Sequence, residues 1–200
     1  MAGLETLAVV RHGRTTYNAG HRLNGDPAVP VHLDEVGREQ VAALRERLAP
    51  LPIDLAVHTR FSRTLETLDL LLAGRAVPRV ECPLLDDVAL GRFEGAGVEE
   101  YRDWRAGHGD AGRPEGGESR VDALRRYTEG FSRLALVRAR HVLVVTHDIP
   151  IRFLANALAG ADAIEGPVRA IDNASLLLVA RADLDRALRA MRGVAPDGGT

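Results

Sequence analysis

The sequence predicts an α/β fold: a three-layer α/β/α sandwich in which helices flank a mostly parallel central sheet. Two observations carry this prediction. Short β-branched apolar runs alternate along the chain with longer segments of helical periodicity. Residues 142–145 are continuously apolar, as is expected of a strand covered on both faces. At 200 residues without an internal repeat, the chain fits one domain with a sizeable core.

Five apolar runs are predicted as strands. The first, residues 7–10, ends at Arg11 and feeds a loop, and His141–Thr146 is the most strongly apolar of the set. The other three predicted strands are residues 53–57, 80–82 and 175–179. Cys82, at the end of the third, is expected to be a small buried packing residue.

Helices are predicted where apolar residues recur at spacings of three and four. One helix opens at Asp34 and stops before Pro50. The next spans residues 59–72, with Leu65, Leu68 and Leu72 as its apolar stripe. Further helices are expected over residues 121–134, 149–158 and 184–191, with a frayed tail from Gly193 onward.

Residues 96–117 are expected to form an insertion or lid. This segment is rich in glycine, and only residues 99–104 have the periodicity of one or two helical turns. Tyr101 and Trp104 are spaced i, i+3 there, so they either pack against the domain or line the mouth of a site. Residues 18–30, rich in Gly, Asn, Asp and Pro, are predicted to be loop.

The composition excludes several classes of protein. A hydrophobic fraction of 46% and a charged fraction of 27% argue against disorder, and a net charge of −2 suggests neither a nucleic-acid nor a membrane-surface partner. No apolar run approaches the ~20 residues of a membrane helix, and the acidic start argues against a signal peptide, so a cytoplasmic protein is expected. The sequence leaves the oligomeric state open, with a homodimer as one option.

Three segments with basic, hydroxyl or acidic side chains follow predicted parallel strands: Arg11-His12-Gly13, residues 59–64, and Thr146-His147-Asp148. Loops at the carboxyl ends of parallel strands meet at one edge of the sheet, so these segments should converge there. Guanidinium groups bind two phosphate oxygens at once, and neutral imidazole is a nucleophile near pH 7. With one cysteine and no cluster at ligand spacing, neither a metal nor another cofactor is expected.

Five blocks in order resemble the histidine phosphatase superfamily, which includes cofactor-dependent phosphoglycerate mutases. They are residues 9–18 (VVRHGRTTYN), 59–67 (TRFSRTLET), 90–95 (LGRFEG), 115–119 (EGGES) and 144–147 (VVTH), and the match spans residues 7–178. Arg-His-Gly alone occurs by chance, but five blocks in register are a specific signal. The resemblance implies a phosphoglycerate mutase-like fold.

The resemblance also implies roles for individual residues. His12 matches the family's nucleophile, Arg11 the adjacent phosphate clamp and His147 the second histidine. Arg63 matches the second arginine, with Arg60 as a less favoured competitor. The matching substrate-binding positions are Thr15, Asn18, Arg22 and Gly25.

The resemblance gives more than one candidate for the general acid. It stands a few residues before the 90–95 block in the family, which corresponds to Asp87 here, with Asp86 beside it and Glu94 as the second choice. The family's usual Gly after the second histidine is replaced by Asp148, which is expected to be a helix N-cap, although facing the phosphate is the alternative. The remaining histidines are expected to be structural or on the surface.

The sequence thus predicts a metal-independent phosphatase that acts on a small phosphorylated metabolite through a covalent phosphohistidine. Two alternatives stay open: phosphoglycerate mutase-type phosphoryl transfer and a non-catalytic phosphate-binding domain. Mutases of the family carry a Glu-Arg-x-Tyr-Gly segment, and residues 87–91 lack its Arg and Tyr, which favours hydrolysis.

Overall fold

The computed structural model describes residues 3–194. Within this range the chain forms a five-stranded mixed sheet in the order β3-β2-β4-β1-β5, flanked by helices. The strands are β1 (Thr6–Arg11), β2 (Leu55–His58), β3 (Arg79–Glu81), β4 (His141–Thr146) and β5 (Leu176–Ala180). Strands β1 to β4 are parallel, and β5 runs antiparallel to β1 at one edge, so the predicted mostly parallel α/β sandwich is confirmed.

The seven helices of the described residues are α1 (Thr16–Ala19), α2 (Glu35–Leu48), α3 (Ser62–Leu71), α4 (Val98–His108), α5 (Arg120–Leu134), α6 (Asp148–Leu158) and α7 (Arg181–Val194). Periodicity predicts α2, α3, α5, α6 and α7 with shifts at their ends and only one or two turns of α4, whereas α1 was not predicted. Two short 3-10 segments, Pro83–Leu85 and Gly91–Phe93, lie between β3 and α4. No helix among the described residues is long and apolar enough to cross a membrane.

The core consists of two apolar clusters, one on each face of the sheet. Because side chains alternate along a strand, Leu7 and Val9 of β1 face helices α5, α6 and α7, whereas Ala8 and Val10 face α2 and α3. The same alternation divides Val142–Val145 of β4 between the two clusters. Strands β1 and β4 are therefore covered on both faces, as their uninterrupted apolar sequence predicts.

Several predictions about local structure were wrong. Helix α3 begins at Ser62 rather than Thr59, and Leu65 of its predicted stripe is 40% exposed because it lies on the solvent face of the helix. Strand β3 is an exposed edge strand ending at Glu81, and Cys82 is only partly buried. Asn18 lies within the short helix α1 rather than in a loop.

The region 96–117 contains more helix than its periodicity indicates. Helix α4 has three turns, and Phe93, Tyr101 and Trp104 form an aromatic cluster with ring centroids 5.4 to 6.0 Å apart. Packing of these rings stabilises a helix whose Gly107 and polar surface weaken the sequence signal. The predicted frayed tail begins within α7, which continues to Val194, and its last residues, 195–200, lie outside the described range.

Candidate active site

Three loops meet at the carboxyl edge of the parallel strands. Arg11 at the end of β1 pairs in register with Thr146 at the end of β4, and His58 at the end of β2 pairs with Val145. The residues that follow these strands are His12, Thr59 and His147. The parallel registers thus bring together side chains that are far apart in the sequence, as the sequence predicts.

His12 is buried, with 2% of its surface exposed, and its imidazole has a fixed tautomer. Nδ1 lies 2.8 Å from the carbonyl oxygen of Gly13. A carbonyl can only accept a hydrogen bond, so Nδ1 carries the proton and Nε2 has the lone pair. Burial, and then the positive charges of Arg63 and Arg11, hold the pKa of His12 well below its usual value. The neutral, nucleophilic form is therefore favoured.

Arg63 connects the polar groups of the site. Its Nε donates to Nε2 of His12 at 3.0 Å, and its Nη2 lies 3.1 Å from both Oδ2 of Asp87 and Nδ1 of His147. The side chain is 4% exposed, and burial lowers the pKa of its guanidinium to about 10, although the Asp87 carboxylate opposes that shift. Arg63 remains a cation at neutral pH. Arg60, the competing candidate, instead pairs with Asp86 at 2.6 Å.

Threonine hydroxyls orient His147, which is fully buried. Oγ1 of Thr64 donates to the Phe61 carbonyl at 2.8 Å, so the Thr59 hydroxyl, 2.9 Å away, must donate to Thr64. Thr59 then accepts from Nε2–H of His147 at 2.9 Å. This assignment leaves Nδ1 of the neutral ring as an acceptor towards Arg63. Burial and the neighbouring Arg63 cation lower the pKa of His147 well below its usual value.

The Asp87 carboxylate is the acidic group next to both Arg63 and His147. Its Oδ2 is 3.5 Å from Nδ1 of His147, and its Oδ1 accepts from the Val88 amide at 3.0 Å. Burial raises the pKa of Asp87, against the opposing effect of Arg63. Arg126 fixes the backbone here by donating to the carbonyls of Asp86 and Asp87 at 2.9 and 3.1 Å. Asp86 itself is engaged by Arg60.

Glu94, the second candidate for the general acid, is hydrogen-bonded to the loop of residues 24–26. Its carboxylate accepts hydrogen bonds from Nδ2 of Asn24 at 2.8 Å and from the amides of Gly25 and Asp26 at 2.6 and 3.0 Å. Asn24 in turn accepts from Arg63 through both its side-chain and its main-chain oxygen. Glu94 therefore organises the 24–26 loop and, through Asn24, the orientation of Arg63.

Asp148 is not the N-cap of α6, contrary to the sequence prediction. The N-cap position belongs to His147, and Asp148 is the first helical residue. Its Oδ1 accepts from the amide of Ile171 at 2.7 Å, and its Oδ2 lies 3.3 Å from Nη1 of Arg152. Arg11 reaches the same segment by donating to the Ile171 carbonyl, with Asp148 3.9 Å away. The carboxylate thus joins Arg11, Arg152 and the 171 loop.

A cavity of about 300 Å³ contains this constellation. Arg11, His12, Arg63 and Asp87 line it together with three of the predicted substrate-binding residues, Thr15, Asn18 and Arg22. The fourth of those residues, Gly25, lines a neighbouring cavity instead. A side chain at position 25 would not fit without a shift of the backbone, because a Cβ would come within 2.2 Å of the Val88 carbonyl oxygen.

Of the two aromatic residues that were expected either to pack or to line the site, one lines it and the other does not. Tyr101 lines the cavity, whereas Trp104 stacks on His108 with ring centroids 4.3 Å apart. Thr15 caps α1 with Asn18 in a reciprocal capping box, which rigidifies the loop after His12. Arg22 lies over the Tyr17 ring, 4.4 Å from its centroid.

Sequence reasoning missed two asparagines that support the site. Nδ2 of Asn173 donates to the carbonyl of His12 at 3.0 Å, and Asn24 accepts from Arg63. Their only local signal was the turn-forming character of Asn, which many surface loops share. Within residues 3–194, no group of three or more His, Cys, Asp or Glu side chains is arranged to hold a metal ion.

The known proteins similar to this chain include phosphoglycerate mutases and phosphatases. A 2,3-bisphosphoglycerate-dependent phosphoglycerate mutase of Gloeobacter violaceus is 33% identical over 163 residues, covering 73% of this chain and 72% of the relative. A glucosyl-3-phosphoglycerate phosphatase of Mycolicibacterium vanbaalenii is 32% identical over 197 residues, covering 90% and 87%. The solved structure of a mycobacterial glucosyl-3-phosphoglycerate phosphatase with VO3 has a TM-score of 0.74 at 27% identity, covering 87% of this chain and 92% of that one.

The family model for branch 1 of the histidine phosphatase superfamily matches residues 7–192. That range contains every residue of the candidate active site described above. The match agrees with the resemblance inferred from the five sequence blocks, and the relatives include both phosphatases and mutases. The chain belongs to branch 1 of the histidine phosphatase superfamily.

Proposed function

We propose that this protein hydrolyses the phosphate monoester of a small metabolite, without a metal, through a covalent phosphohistidine on Nε2 of His12. The observation that carries the proposal is the fixed tautomer of His12. Gly13 holds the proton on Nδ1, so Nε2 carries the lone pair, which accepts a hydrogen bond from Nε of Arg63 at 3.0 Å in a cavity that Arg11 also lines. A nucleophile beside guanidinium groups is the arrangement that phosphoryl transfer requires.

In the first step, Nε2 attacks phosphorus while the P–O bond to the leaving alkoxide breaks. Arg11 and Arg63 stabilise the non-bridging oxygens, and Asp87 donates its proton to the alkoxide. The raised pKa of Asp87 favours the protonated form that this step needs. A bound phosphate dianion also favours protonation of His147 at Nδ1, which then donates to a non-bridging oxygen.

In the second step, water attacks the phosphorus and the N–P bond breaks. Asp87, now a carboxylate, accepts the proton from the water, so His12 and Asp87 return to their starting states. Hydrolysis is favoured over return of the phosphoryl group to a bound sugar acid for two reasons. The phosphatase relative matches more of the chain than the mutase relative, and residues 87–91 lack the Arg and Tyr of the mutase segment.

The test is hydrolysis of p-nitrophenyl phosphate in EDTA by the wild type, His12→Ala and the control His32→Ala, whose imidazole is 64% exposed. We expect activity in EDTA, its loss in His12→Ala, and its retention in His32→Ala. Rapid quenching should trap an acid-labile, base-stable phosphoenzyme in the wild type and in His32→Ala but not in His12→Ala. Activity that persists in His12→Ala would refute the nucleophile. Interconversion of phosphoglycerates without phosphate release would instead establish a mutase.

A further inference from the structure

The cavity contains more positive charge than a phosphate monoester needs. Besides Arg11 and Arg63, the arginines that line it are Arg22, Arg102, Arg120, Arg152 and Arg169. The carboxylates in the described lining are Asp87 and Asp148. The chain as a whole has a net charge of −2, so this excess of arginine over carboxylate is a local property of the cavity.

Arg120 is the most unusual of these residues. It is 8% exposed, and among the described residues its Nε and Nη1 have no hydrogen-bond partner. Burial, followed by repulsion from Arg105 and Arg152, lowers the pKa of Arg120. Arg120 is also the first residue of α5, where the helix dipole disfavours a cation. Two buried guanidinium nitrogens without acceptors destabilise the free protein, so a ligand that supplies acceptors for them would be bound strongly.

Arg152 connects this cation to the phosphate clamp. Its Nε is likewise buried and unpartnered within the described chain, whereas its Nη1 lies 3.3 Å from Asp148. Asp148 in turn is 3.9 Å from Arg11. Arg120 and Arg152 therefore form a second cationic position in the same cavity, separated from Arg11 by one carboxylate.

We propose that Arg120 and Arg152 bind a second anionic group of the substrate, a carboxylate or a further phosphate, while Arg11 and Arg63 hold the phosphate that is cleaved. This inference rests on the proposed function and specifies its substrate class: small phosphate esters with two anionic groups. Tyr101 and Ile149, which also line the cavity, would contact the carbon skeleton between them. Guanidinium groups suit both anions because their paired donors match two oxygens.

The test measures binding rather than turnover, in the His12→Ala background, by titration calorimetry. Two ligand pairs differ by one anionic group: 3-phosphoglycerate with glycerol 3-phosphate, and fructose 1,6-bisphosphate with fructose 6-phosphate. We expect at least one doubly anionic ligand to bind about tenfold or more tightly than its partner, the scale of a lost charge-assisted hydrogen bond. Which pair shows the preference distinguishes a carboxylate from a phosphate.

Adding Arg120→Met should reduce that preference to near unity. The matched control is Arg133→Met, which removes the same charge from the same helix at a side chain that is 68% exposed, and the preference should remain. Arg120→Gln provides a second variant if Met disturbs folding. Equal binding within both ligand pairs, or a preference that survives both Arg120 substitutions, would overturn the inference. Because binding is measured without the nucleophile, this result is independent of whether the wild type hydrolyses phosphate esters.

Discussion

Replacing Asp87 or Glu94 by the corresponding amide separates catalysis from loop organisation. Asp87→Asn removes the titrating proton but keeps an oxygen that can accept from Arg63. Glu94→Gln keeps one acceptor oxygen and introduces an NH2 group towards the donors of the 24–26 loop, three of which now bind the carboxylate. We expect Asp87→Asn to impair the chemical step and Glu94→Gln to impair stability and phosphate binding.

The expected changes in kcat, KM and stability follow from the contacts that each substitution removes. A general acid contributes about 10²- to 10⁴-fold to kcat when the leaving group needs a proton, so Asp87→Asn should lower kcat by that factor for alkyl phosphates. p-Nitrophenolate leaves without protonation, so kcat/KM for its ester, which reports formation of the phosphoenzyme, should fall far less. The later hydrolysis of the phosphoenzyme, for which Asp87 is the base, should slow for both substrates. In Glu94→Gln, at least one charge-assisted hydrogen bond is lost, and we expect the free energy of unfolding to fall by about 2 kcal/mol. KM should rise because Asn24 no longer fixes Arg63.

The assay compares kcat and KM for p-nitrophenyl phosphate and for an alkyl phosphate across pH, together with urea unfolding. The alkaline limb of the wild-type profile should report loss of the Asp87 proton, and it should disappear in Asp87→Asn. An equal fall in kcat/KM for both substrates in Asp87→Asn would refute the acid assignment. Disappearance of the alkaline limb in Glu94→Gln, with kcat/KM reduced only for the alkyl phosphate, would transfer the role to Glu94.

Two further predictions concern stability. The folded protein keeps His12 and His147 neutral with lowered pKa values, so their contribution to the free energy of unfolding is fully present above pH 6.5 and should be lost as pH falls below it, by up to about 1.4 kcal/mol per pH unit for each imidazole. The raised pKa of Asp87 acts in the opposite direction. A free energy of unfolding, measured in urea, that is no lower at pH 5.5 than at pH 7.5 would contradict this expectation. Gly107→Ala, in open space on α4, should stabilise the protein by about 0.5–1 kcal/mol, whereas Gly37→Ala, whose Cβ would lie 2.0 Å from a backbone oxygen, should destabilise it. Midpoints of thermal unfolding that shift in the same direction in both variants would contradict this prediction.

The parts of the molecule that the sequence predicted depend on local pattern. An apolar run buried on both faces gave His141–Thr146 with its observed bounds, and the residues after β1, β2 and β4 could be placed together because parallel strands end at one edge. The roles of Asn24 and Asn173 depend instead on contacts with residues 39 and 161 positions away in the chain. No local pattern specifies such a contact, so these residues were missed.

Asp148 illustrates the same limit in electrostatics. From the sequence, a carboxylate after the second histidine was either a cap or a source of repulsion for phosphate. The structure places it between Arg11 and Arg152 with one oxygen bound to the Ile171 amide. Its effect therefore depends on two cations and a loop from three separate parts of the chain. The prediction that it caps α6 failed because the backbone of the preceding residue, His147, already occupies that position.

Hydrogen bonding distinguishes the arginines that build the fold from those available to a ligand. Arg126 and Arg120 lie on the same helix and are both largely buried, but Arg126 donates to four backbone carbonyls and to the Glu118 carboxylate. Replacing Arg126 would therefore release the segment that positions Asp87. Arg120 leaves two nitrogens without acceptors, so the free protein gains little from its charge. Because buried donor nitrogens without acceptors destabilise a fold, their presence beside the phosphate clamp supports the proposal that an anion binds there.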